Sequence, residues 1–379
     1  MIYLDNAATS WPKPASVPRA VAGCLQRAAS PGRGGYGLSR EADRILFAAR
    51  EELAALLEAE NSSSIIFAHN ATDALNIALF GLLGPGDRVV TTSMEHNAVA
   101  RPLRALESRG LNLEILACGP DGSLPLVALR TALATGAKAV VVTHASNVSG
   151  TLVPLAAIGE LACDAGALFI VDAAQTAGAE PIRVAEMGID VLAFSGHKSL
   201  LGPQGTGGLY VRPGVSVSPL RFGGTGSLSE SDRQPDFYPD RLESGTPNTP
   251  GIAGLLAGVR YIGKRGLTAI RAQERAHTDT LVAGLAAIDG VRVFGPPPGE
   301  PRTAVVSFTV GDRDSGEIAH RLDQEYGVAC RGGLHCAPWA HRTLGTLATG
   351  TVRFSPGCFT TDEDIYAALA AVSTIAADG

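Results

Sequence analysis

The strongest constraint on the fold is a repeated alternation of short, continuously apolar segments with segments of helical periodicity. The apolar segments, which we interpret as strands, lie at 65–67, 89–92, 113–116, 139–143, 168–172 and 191–195. Between them, apolar residues recur at the i, i+3, i+4 spacing of helices. Strands that are apolar at nearly every position are buried on both faces. The pattern therefore predicts an α/β fold, with a large, mainly parallel sheet covered by helices.

The second half of the chain has a different order of elements. From about 211 to 250 the pattern changes to Gly, Pro, Ser and charged residues, which we interpret as a long functional loop. Further elements are predicted as a helical stretch near 252–285, strands near 291–294, 304–309, 328–330 and 351–355, and helices near 315–326 and 362–376. Such irregular order is typical of an α+β domain. We predict a large domain over 16–250, a small domain over 251–379, and an N-terminal strap, 1–15, that joins the small domain.

Composition narrows the class of protein. The 379 residues are 45% hydrophobic and 18% charged, as in ordered globular proteins. The net charge of -6 argues against nucleic-acid or anionic-membrane partners. The apolar runs are too short to span a bilayer, and the N-terminus lacks the features of a secretory signal. Six scattered cysteines without a C-x-x-C pair favour free thiols in a reducing cytoplasm.

Polar residues follow five of the predicted strands. Because the carboxyl ends of parallel strands meet at one edge of a sheet, ligands bind there. The five sets of polar residues lie at 69–72, 94–97, 144–147, 172–175 and 195–198. Their convergence on one edge predicts a ligand site.

Lysine usage points to one residue within this edge. The chain has only four lysines, and Lys198 alone follows a buried strand, in a Gly-rich turn. Lys138 precedes its strand, whereas Lys13 and Lys264 are expected to be solvated. An amine can lose its proton and attack a carbonyl, which a guanidinium cannot do. Lys198 is therefore a candidate nucleophile, although an ordinary lysine in a tight turn explains its position equally well.

The same edge has the groups that a pyridoxal ring requires. Asp172 is placed to face a pyridine nitrogen and keep it protonated. The imidazole of His96 can stack on a flat ring, and the helix that opens at 71–73 offers backbone N–H groups to a phosphate. Each residue also has a simpler interpretation. Asp172 and the 71–73 segment fit plain helix caps, and His96 fits a hydrogen-bonded histidine at a strand end.

Six motifs resemble those of the class V aminotransferase-fold enzymes. They are residues 4–9 (Leu-Asp-Asn-Ala-Ala-Thr), 94–97 (Met-Glu-His-Asn), 144–151 (His-Ala-Ser-Asn-Val-Ser-Gly-Thr), 172–175 (Asp-Ala-Ala-Gln), 195–198 (Ser-Gly-His-Lys) and 245–248 (Gly-Thr-Pro-Asn). Residues 331–337 (Arg-Gly-Gly-Leu-His-Cys-Ala) resemble the SufS-like branch of cysteine desulfurases and selenocysteine lyases within that family. The resemblance extends from residue 3 to about 375.

This resemblance implies fold type I, with pyridoxal 5'-phosphate as the cofactor. The positions that match cofactor contacts are the Schiff-base lysine Lys198, the pyridine partner Asp172, the stacking histidine His96, the ring-hydroxyl donor Gln175, and the phosphate site at Ala71, Thr72, Ser195 and His197. Gly245 and Thr246 match a phosphate contact made across a dimer interface, so a homodimer is implied.

On the substrate side, the resemblance implies that L-cysteine is converted to L-alanine. Asn147 and Arg353 match the groups that bind the substrate carboxylate, a task suited to a bidentate guanidinium. Cys336 matches the nucleophile that takes the sulfur as a persulfide and passes it to an acceptor protein, as in iron–sulfur cluster assembly. Arg331 and Tyr36 are further candidate substrate residues. Lys198 is expected to act as the general base at the substrate Cα.

Several positions depart from the sequence pattern of the SufS-like branch. These departures leave the substrate and the sulfur acceptor open. Tyr36 and Asn97 stand where many relatives have histidine. The segment at 338–341 differs from the usual Met-Pro-containing segment, and the segment at 359–361 lacks the usual Asn. Other pyridoxal-phosphate reactions stay open on this scaffold: selenocysteine lysis, cysteine-sulfinate cleavage or another C–S lyase reaction. A catalytically silent sulfur-transfer scaffold is the remote alternative.

The cysteines need separate interpretations. Cys336 lies in a Gly-rich polar turn near Arg331, where positive charge favours a thiolate. The other five are interpreted as small buried hydrophobes. His335, Cys336 and His341 together also suggest a metal site. No fourth ligand is evident in the sequence, however, and we predict no metal.

Overall fold

The computed structural model describes residues 1–32 and 34–378. Its strands are β1 (Ile2–Tyr3), β2 (Ile65–Ala68), β3 (Arg88–Thr92), β4 (Asn112–Leu116), β5 (Ala139–Thr143), β6 (Leu168–Asp172), β7 (Val191–Ser195), β8 (Gly207–Val211), β9 (Val291–Phe294), β10 (Val306–Val310), β11 (Val328–Ala329), β12 (Arg331–Gly333) and β13 (Thr351–Phe354). Its α-helices are α1 (Ser16–Arg27), α2 (Gly37–Leu56), α3 (Ala71–Leu82), α4 (Asn97–Glu107), α5 (Leu126–Ala134), α6 (Leu155–Asp164), α7 (Thr249–Arg265), α8 (Leu267–Ala286), α9 (Ser315–Tyr326), α10 (Pro338–Leu344) and α11 (Asp362–Ala377).

The large sheet has seven strands in the order β2-β8-β7-β6-β5-β3-β4. Strands β4, β3, β5, β6 and β7 pair in parallel, and β8 is antiparallel to both of its neighbours. Two apolar cores cover the two faces of the sheet. The predicted α/β fold with a mainly parallel sheet is confirmed.

A smaller region is built on a four-stranded antiparallel sheet with the order β12-β13-β10-β9. Its core joins residues of α8, α9 and α11 to the N-terminal strap, because Leu4 packs there with Phe308 and Phe354. The strap strand β1 also pairs in parallel with β11. Helix α7 instead packs on α1 and α2, and Leu255 belongs to a core of the large sheet. The domain division at residue 250 stays a prediction.

The sequence patterns missed or merged several elements. No helix was assigned before residue 65, where α1 and α2 lie, and neither β12 nor α10 was predicted. The predicted helical stretch at 252–285 is two helices, divided at Gly266, whose φ of 87° is left-handed. Between β8 and α7 the structure has neither helix nor strand, as the pattern predicted.

Strand β8 was missed because its first residues resemble a turn. Gly207 and Gly208 are instead required by close packing within the sheet. A Cβ on Gly208 would lie 2.4 Å from the carbonyl oxygen of Ile66, and one on Gly207 would lie 2.7 Å from the Cα of Asn70. The two glycines therefore let β8 fit between β2 and β7 beside the start of α3.

No helix in the described part of the chain combines the length and the apolar character needed to cross a bilayer.

A matched pair of glycine substitutions tests the packing of α6. A Cβ on Gly159 would lie 2.0 Å from the Met187 carbonyl oxygen, whereas one on the exposed Gly263 would meet nothing within 4 Å. We expect Gly159→Ala to lower the free energy of unfolding by about 1–3 kcal/mol. Gly263→Ala should raise it by about 0.5–1 kcal/mol, because alanine favours helix. Urea denaturation measures the free energy of unfolding of both variants. Equal values would contradict the close packing of α6 at Gly159.

Candidate active site

A cavity of about 240 Å³ lies at the carboxyl edge of the large sheet. All five predicted sets of polar residues contribute to it. Its lining consists of Asn70, Ala71, Thr72, His96, Ala98, Thr143, Ala145, Asn147, Asp172, Ala174, Gln175, Ser195, His197 and Lys198. A larger cavity of about 750 Å³ between α1, α2 and α7 is lined mainly by apolar residues and cations, with Glu41, and it contains none of these groups.

Asp172 and Lys198 form the electrostatic centre of this cavity. Burial raises the pKa of Asp172, although the Ala174 N–H, 2.9 Å from its Oδ1, and the positive charge of Lys198 oppose the shift. Burial lowers the pKa of Lys198 to about 8, and the charge of Asp172 opposes that shift. A lysine with this pKa is partly neutral near physiological pH, so its amine can attack a carbonyl. No helix begins after Asp172, so its side chain is not a helix cap.

His96 has two roles in the structure. Its Nδ1 accepts a hydrogen bond of 3.0 Å from the Ala98 N–H and caps α4, while its side chain lines the cavity. Burial, and then the positive charge of Lys198, lowers the pKa of His96 to about 3. The imidazole is therefore neutral, and since Nδ1 is an acceptor its proton is on Nε2.

The first turn of α3 lines one end of the cavity. Ala71 donates its N–H to Ser195 Oγ at 3.1 Å, and Thr72 lines the cavity beside it. A helix N-terminus carries partial positive charge and unpaired N–H groups. The buried Nδ1 of His197 has no partner in the described part of the chain. These polar groups suit a phosphate.

The loop that carries Cys336 is tied to the cavity from two sides. Asn147 donates its Nδ2–H to the His335 carbonyl at 2.7 Å, and the Asn97 N–H donates to the Cys336 carbonyl at 2.8 Å. His335 and Cys336 have left-handed φ angles of 49° and 58°, which cost about 1–3 kcal/mol per residue. Arg331 Nη2 lies 3.6 Å from the sulfur, and Cys336 is exposed.

Exposure distinguishes Cys336 from four of the other five cysteines. Cys24 and Cys358 are buried, as predicted. Burial raises the pKa of both Cys330 and Cys358 to about 12. Cys163 is exposed, so its interpretation as a buried hydrophobe was wrong.

Arg353 lies behind the cavity rather than in its lining. Its guanidinium is buried and paired with Asp5 at 2.6 Å, and its Nη1 donates to the Asn147 carbonyl at 3.1 Å. Its Nε has no partner among the described residues. The N-terminal strap therefore supplies the counterion of Arg353, and its role in binding the substrate carboxylate stays a prediction.

Three further predicted residues lie outside the cavity. Gly245 and Thr246 line a separate cavity of about 170 Å³ that also includes Arg221. Tyr36 is exposed at the start of α2. Within one chain, these residues are not brought together with Lys198.

Sequence reasoning missed two ionisable residues beside the site. Glu95 is fully buried, and its Oε1 accepts hydrogen bonds from Thr92 Oγ1 at 2.6 Å and the Thr143 N–H at 3.1 Å. Burial raises its pKa to about 8. Lys13, expected to be solvated, is half-buried and donates to Ser10 Oγ at 2.6 Å and to the His197 carbonyl at 2.7 Å. The sequence did contain a signal for Glu95, because a carboxyl side chain shortly after an apolar strand is expected to lie at the edge of the sheet.

The rings of His335, in the Cys336 loop, and His341 lie 5.7 Å apart. Each is held by a neighbouring threonine, His335 by Thr351 at 3.1 Å and His341 by Thr346 at 2.7 Å. Within residues 1–32 and 34–378, no group of three or more His, Cys, Asp or Glu side chains could hold a metal ion.

Comparison with known proteins places the chain in a family. A family model described as aminotransferase class-V matches residues 2–367. The chain belongs to the class-V aminotransferase family. Its α/β architecture is that of fold type I, and the resemblance in the sequence motifs is confirmed.

Relatives and solved structures of this class-V aminotransferase cover nearly the whole chain. A probable cysteine desulfurase of Methanothermobacter thermautotrophicus is 36% identical, over 96% of this chain and 92% of its own length. A cysteine desulfurase of Serratia proteamaculans is 34% identical, over 89% and 84%. The apo structure of a cysteine desulfurase from Thermococcus onnurineus NA1 matches with a TM-score of 0.92 and 34% identity, covering 100% of this chain and 95% of that one.

Thiol labelling tests the exposure of Cys336 and the position of Arg331. During brief exposure to iodoacetamide at pH 7, we expect Cys336 to react at least about tenfold faster than Cys330 and Cys358, because the thiolate reacts and burial disfavours it. Arg331→Gln should slow labelling of Cys336 about twofold to fivefold by removing the adjacent positive charge. Peptide mass spectrometry measures both, with exposed Cys163 as the internal control. The contact between Arg331 and Cys336 would be contradicted if Arg331→Gln slowed the labelling of Cys163 as much as that of Cys336, or did not slow the labelling of Cys336.

Proposed function

We propose that this class-V aminotransferase is a cysteine desulfurase that uses pyridoxal 5'-phosphate and transfers the sulfur of L-cysteine to Cys336. The observation that carries the proposal is the attachment of the exposed Cys336 loop to the cavity of Lys198. Asn147 and Asn97 hold the loop on both sides of the thiol by hydrogen bonds of 2.7 and 2.8 Å. The names of the relatives support the same reaction.

The residues of the cavity fit this cofactor. Asp172 is a buried carboxyl group that can pair with a pyridinium, and His96 is a neutral flat ring. The first turn of α3 and the unpartnered His197 Nδ1 can bind a phosphate. When bound, pyridoxal phosphate supplies a protonated ring that accepts the electron pair released at the substrate Cα.

The chain's own residues account for the remaining steps. Lys198 would hold the cofactor through its amine, and when free of it would act as the general base that takes the proton from the substrate Cα. The Cys336 sulfur attacks the substrate sulfur, an S–S bond forms, and the electron pair of the Cβ–S bond passes to the substrate carbon. Protonation of that Cβ, together with return of a proton from Lys198 to Cα, leaves alanine, and Cys336 holds the persulfide. Asn147, together with Arg353 behind it, is proposed to orient the substrate carboxylate.

A homodimer completes the proposal. Gly245 and Thr246 lie away from their own chain's cavity, so they are available to contact the phosphate bound by a second copy. Phe222, Leu228 and Phe237 are exposed in the same long loop and can be covered by that copy.

The exposed Cys336 is accessible to a sulfur-acceptor protein. The six free cysteines favour a cytoplasmic location.

Replacement of Asp172 tests the ring electronics. Asp172→Asn should retain the yellow cofactor but lower kcat by about 10²–10³, because a neutral amide cannot hold the pyridinium proton. Absorbance measures the bound cofactor, and alanine formation measures kcat. Asp164→Asn, an exposed change at the end of α6, is the control and should leave both unchanged. If Asp172→Asn turned over at close to the wild-type rate, Asp172 would only stabilise its local turn and would have no role in catalysis.

Replacement of Cys336 separates a desulfurase from other lyases. Cys336→Ala should reduce alanine formation from cysteine at least about 10²-fold while leaving the cofactor spectrum intact. Some activity on selenocysteine should remain, because selenium leaves carbon more readily. Cys163→Ala is the control and should keep full activity.

Mass spectrometry after brief exposure of the wild type to cysteine should place an additional sulfur on the peptide that contains Cys336. Sulfur on Cys330 or Cys358 instead, or full cysteine activity of Cys336→Ala, would favour a β-eliminating C–S lyase.

A further inference from the structure

The peptide carbonyl of His197, directly before Lys198, is where the N-terminal strap meets the large sheet. Four donors from the strap surround this one oxygen. They are Lys13 Nζ at 2.7 Å, the Ser10 N–H at 3.0 Å, Ser10 Oγ at 3.1 Å and Thr9 Oγ1 at 3.2 Å. A carbonyl oxygen has two lone pairs, so this is an unusually dense set of donors, and Lys13 makes the shortest contact.

Lys13 is held in this place rather than extended into solvent. Its Nζ donates to the hydroxyl of the buried Ser10 at 2.6 Å as well as to the carbonyl. Burial lowers its pKa to about 8, and a lysine amine can donate both hydrogen bonds whether or not it carries the third proton. Lysine side chains are otherwise among those most often exposed.

The His197 carbonyl and the Lys198 nitrogen belong to one planar peptide unit. Holding that oxygen therefore orients the peptide plane from which Lys198 starts. The opposite side of the turn is held by the large sheet, since the Gly196 N–H donates to the Thr206 carbonyl at 2.8 Å and the Gly202 N–H to the Gly196 carbonyl at 2.7 Å. The strap holds the other side of this turn through its hydrogen bonds to the His197 carbonyl.

The same strap is anchored in the smaller region. β1 pairs with β11, Leu4 packs in the core of that region, and Asp5 is the counterion of Arg353. The contacts at Lys13 therefore connect the smaller region to the turn that carries Lys198.

We propose that Lys13 is a positioning residue for Lys198. It anchors the strap on the His197 carbonyl and so orients the peptide from which the cofactor-binding side chain enters the cavity. This inference rests on the proposed function, because it takes Lys198 as the site of cofactor attachment. Lys13 contacts the cavity lining only through the backbone carbonyl of His197 and contacts none of the substrate residues named above, so it acts through the turn.

The test compares Lys13→Met, Lys13→Arg and the control Lys264→Met in the full-length protein. Lys13→Met should weaken the affinity for pyridoxal phosphate about fivefold, the effect of losing one hydrogen bond. It should also reduce the visible circular dichroism per bound cofactor by about half, because this band reports how the surrounding protein orients the ring. Lys13→Arg, which keeps a donor, should restore most of both signals, and Lys264→Met should match the wild type.

Two further measurements separate positioning from general damage. The thermal midpoint of the cofactor-free Lys13→Met protein should stay within about 3 °C of the wild type. Its kcat for cysteine should fall while KM changes less than about twofold, because Lys13 holds the turn and not the substrate. If Lys13→Met does not fold, Ser10→Ala, which removes the second partner of Lys13, should reduce the same dichroism band.

The outcomes distinguish this inference from the proposed function. Wild-type cofactor affinity and dichroism in Lys13→Met, or an equal loss in Lys13→Arg, would overturn the positioning role. A wild-type protein that binds no pyridoxal phosphate, and gives no borohydride-reduced adduct at Lys198, would instead overturn the proposed function.

Discussion

Parallel pairing of β3, β5, β6 and β7 is the constraint on which the rest of the structure depends. Register aligns Thr143 with Asp172 and Asp172 with Ala193, so the polar residues that follow each strand emerge at the same edge. Chain segments more than 100 residues apart thereby meet in a single cavity. The apolar strands supply the burial that makes this edge rigid. The chemistry comes from the residues just beyond them.

Burial at that edge also determines the charge states. Removing water raises the pKa of Asp172 and lowers those of Lys198 and His96, in each case because the charged form is desolvated. The attraction between Asp172 and Lys198 offsets part of both shifts. The result is a desolvated carboxyl group, a reactive amine and a neutral imidazole in one enclosed site. Glu95, fully buried below them, extends this desolvated cluster.

The smaller region supplies what the large sheet lacks. It presents Cys336 on a loop with two left-handed residues, and hydrogen bonds from Asn97 and Asn147 hold that loop against the cavity. The N-terminal strap links the two regions through Asp5 and Lys13. Through these contacts the strap connects Arg353, in the smaller region, with the turn that carries Lys198.

The sequence by itself determined the α/β class, most strands of the large sheet, and the five sets of polar residues, because these depend on local periodicity and on strand direction. It did not predict β8, where Gly207 and Gly208 are required by neighbouring strands rather than by a turn. Only the tertiary structure decided that Arg353 is paired with Asp5, that Gly245 and Thr246 lie in another cavity, and that Lys13 reaches the His197 carbonyl. Each of these contacts joins residues that are distant in the chain. The positions of both partners therefore follow from packing, which no local pattern encodes.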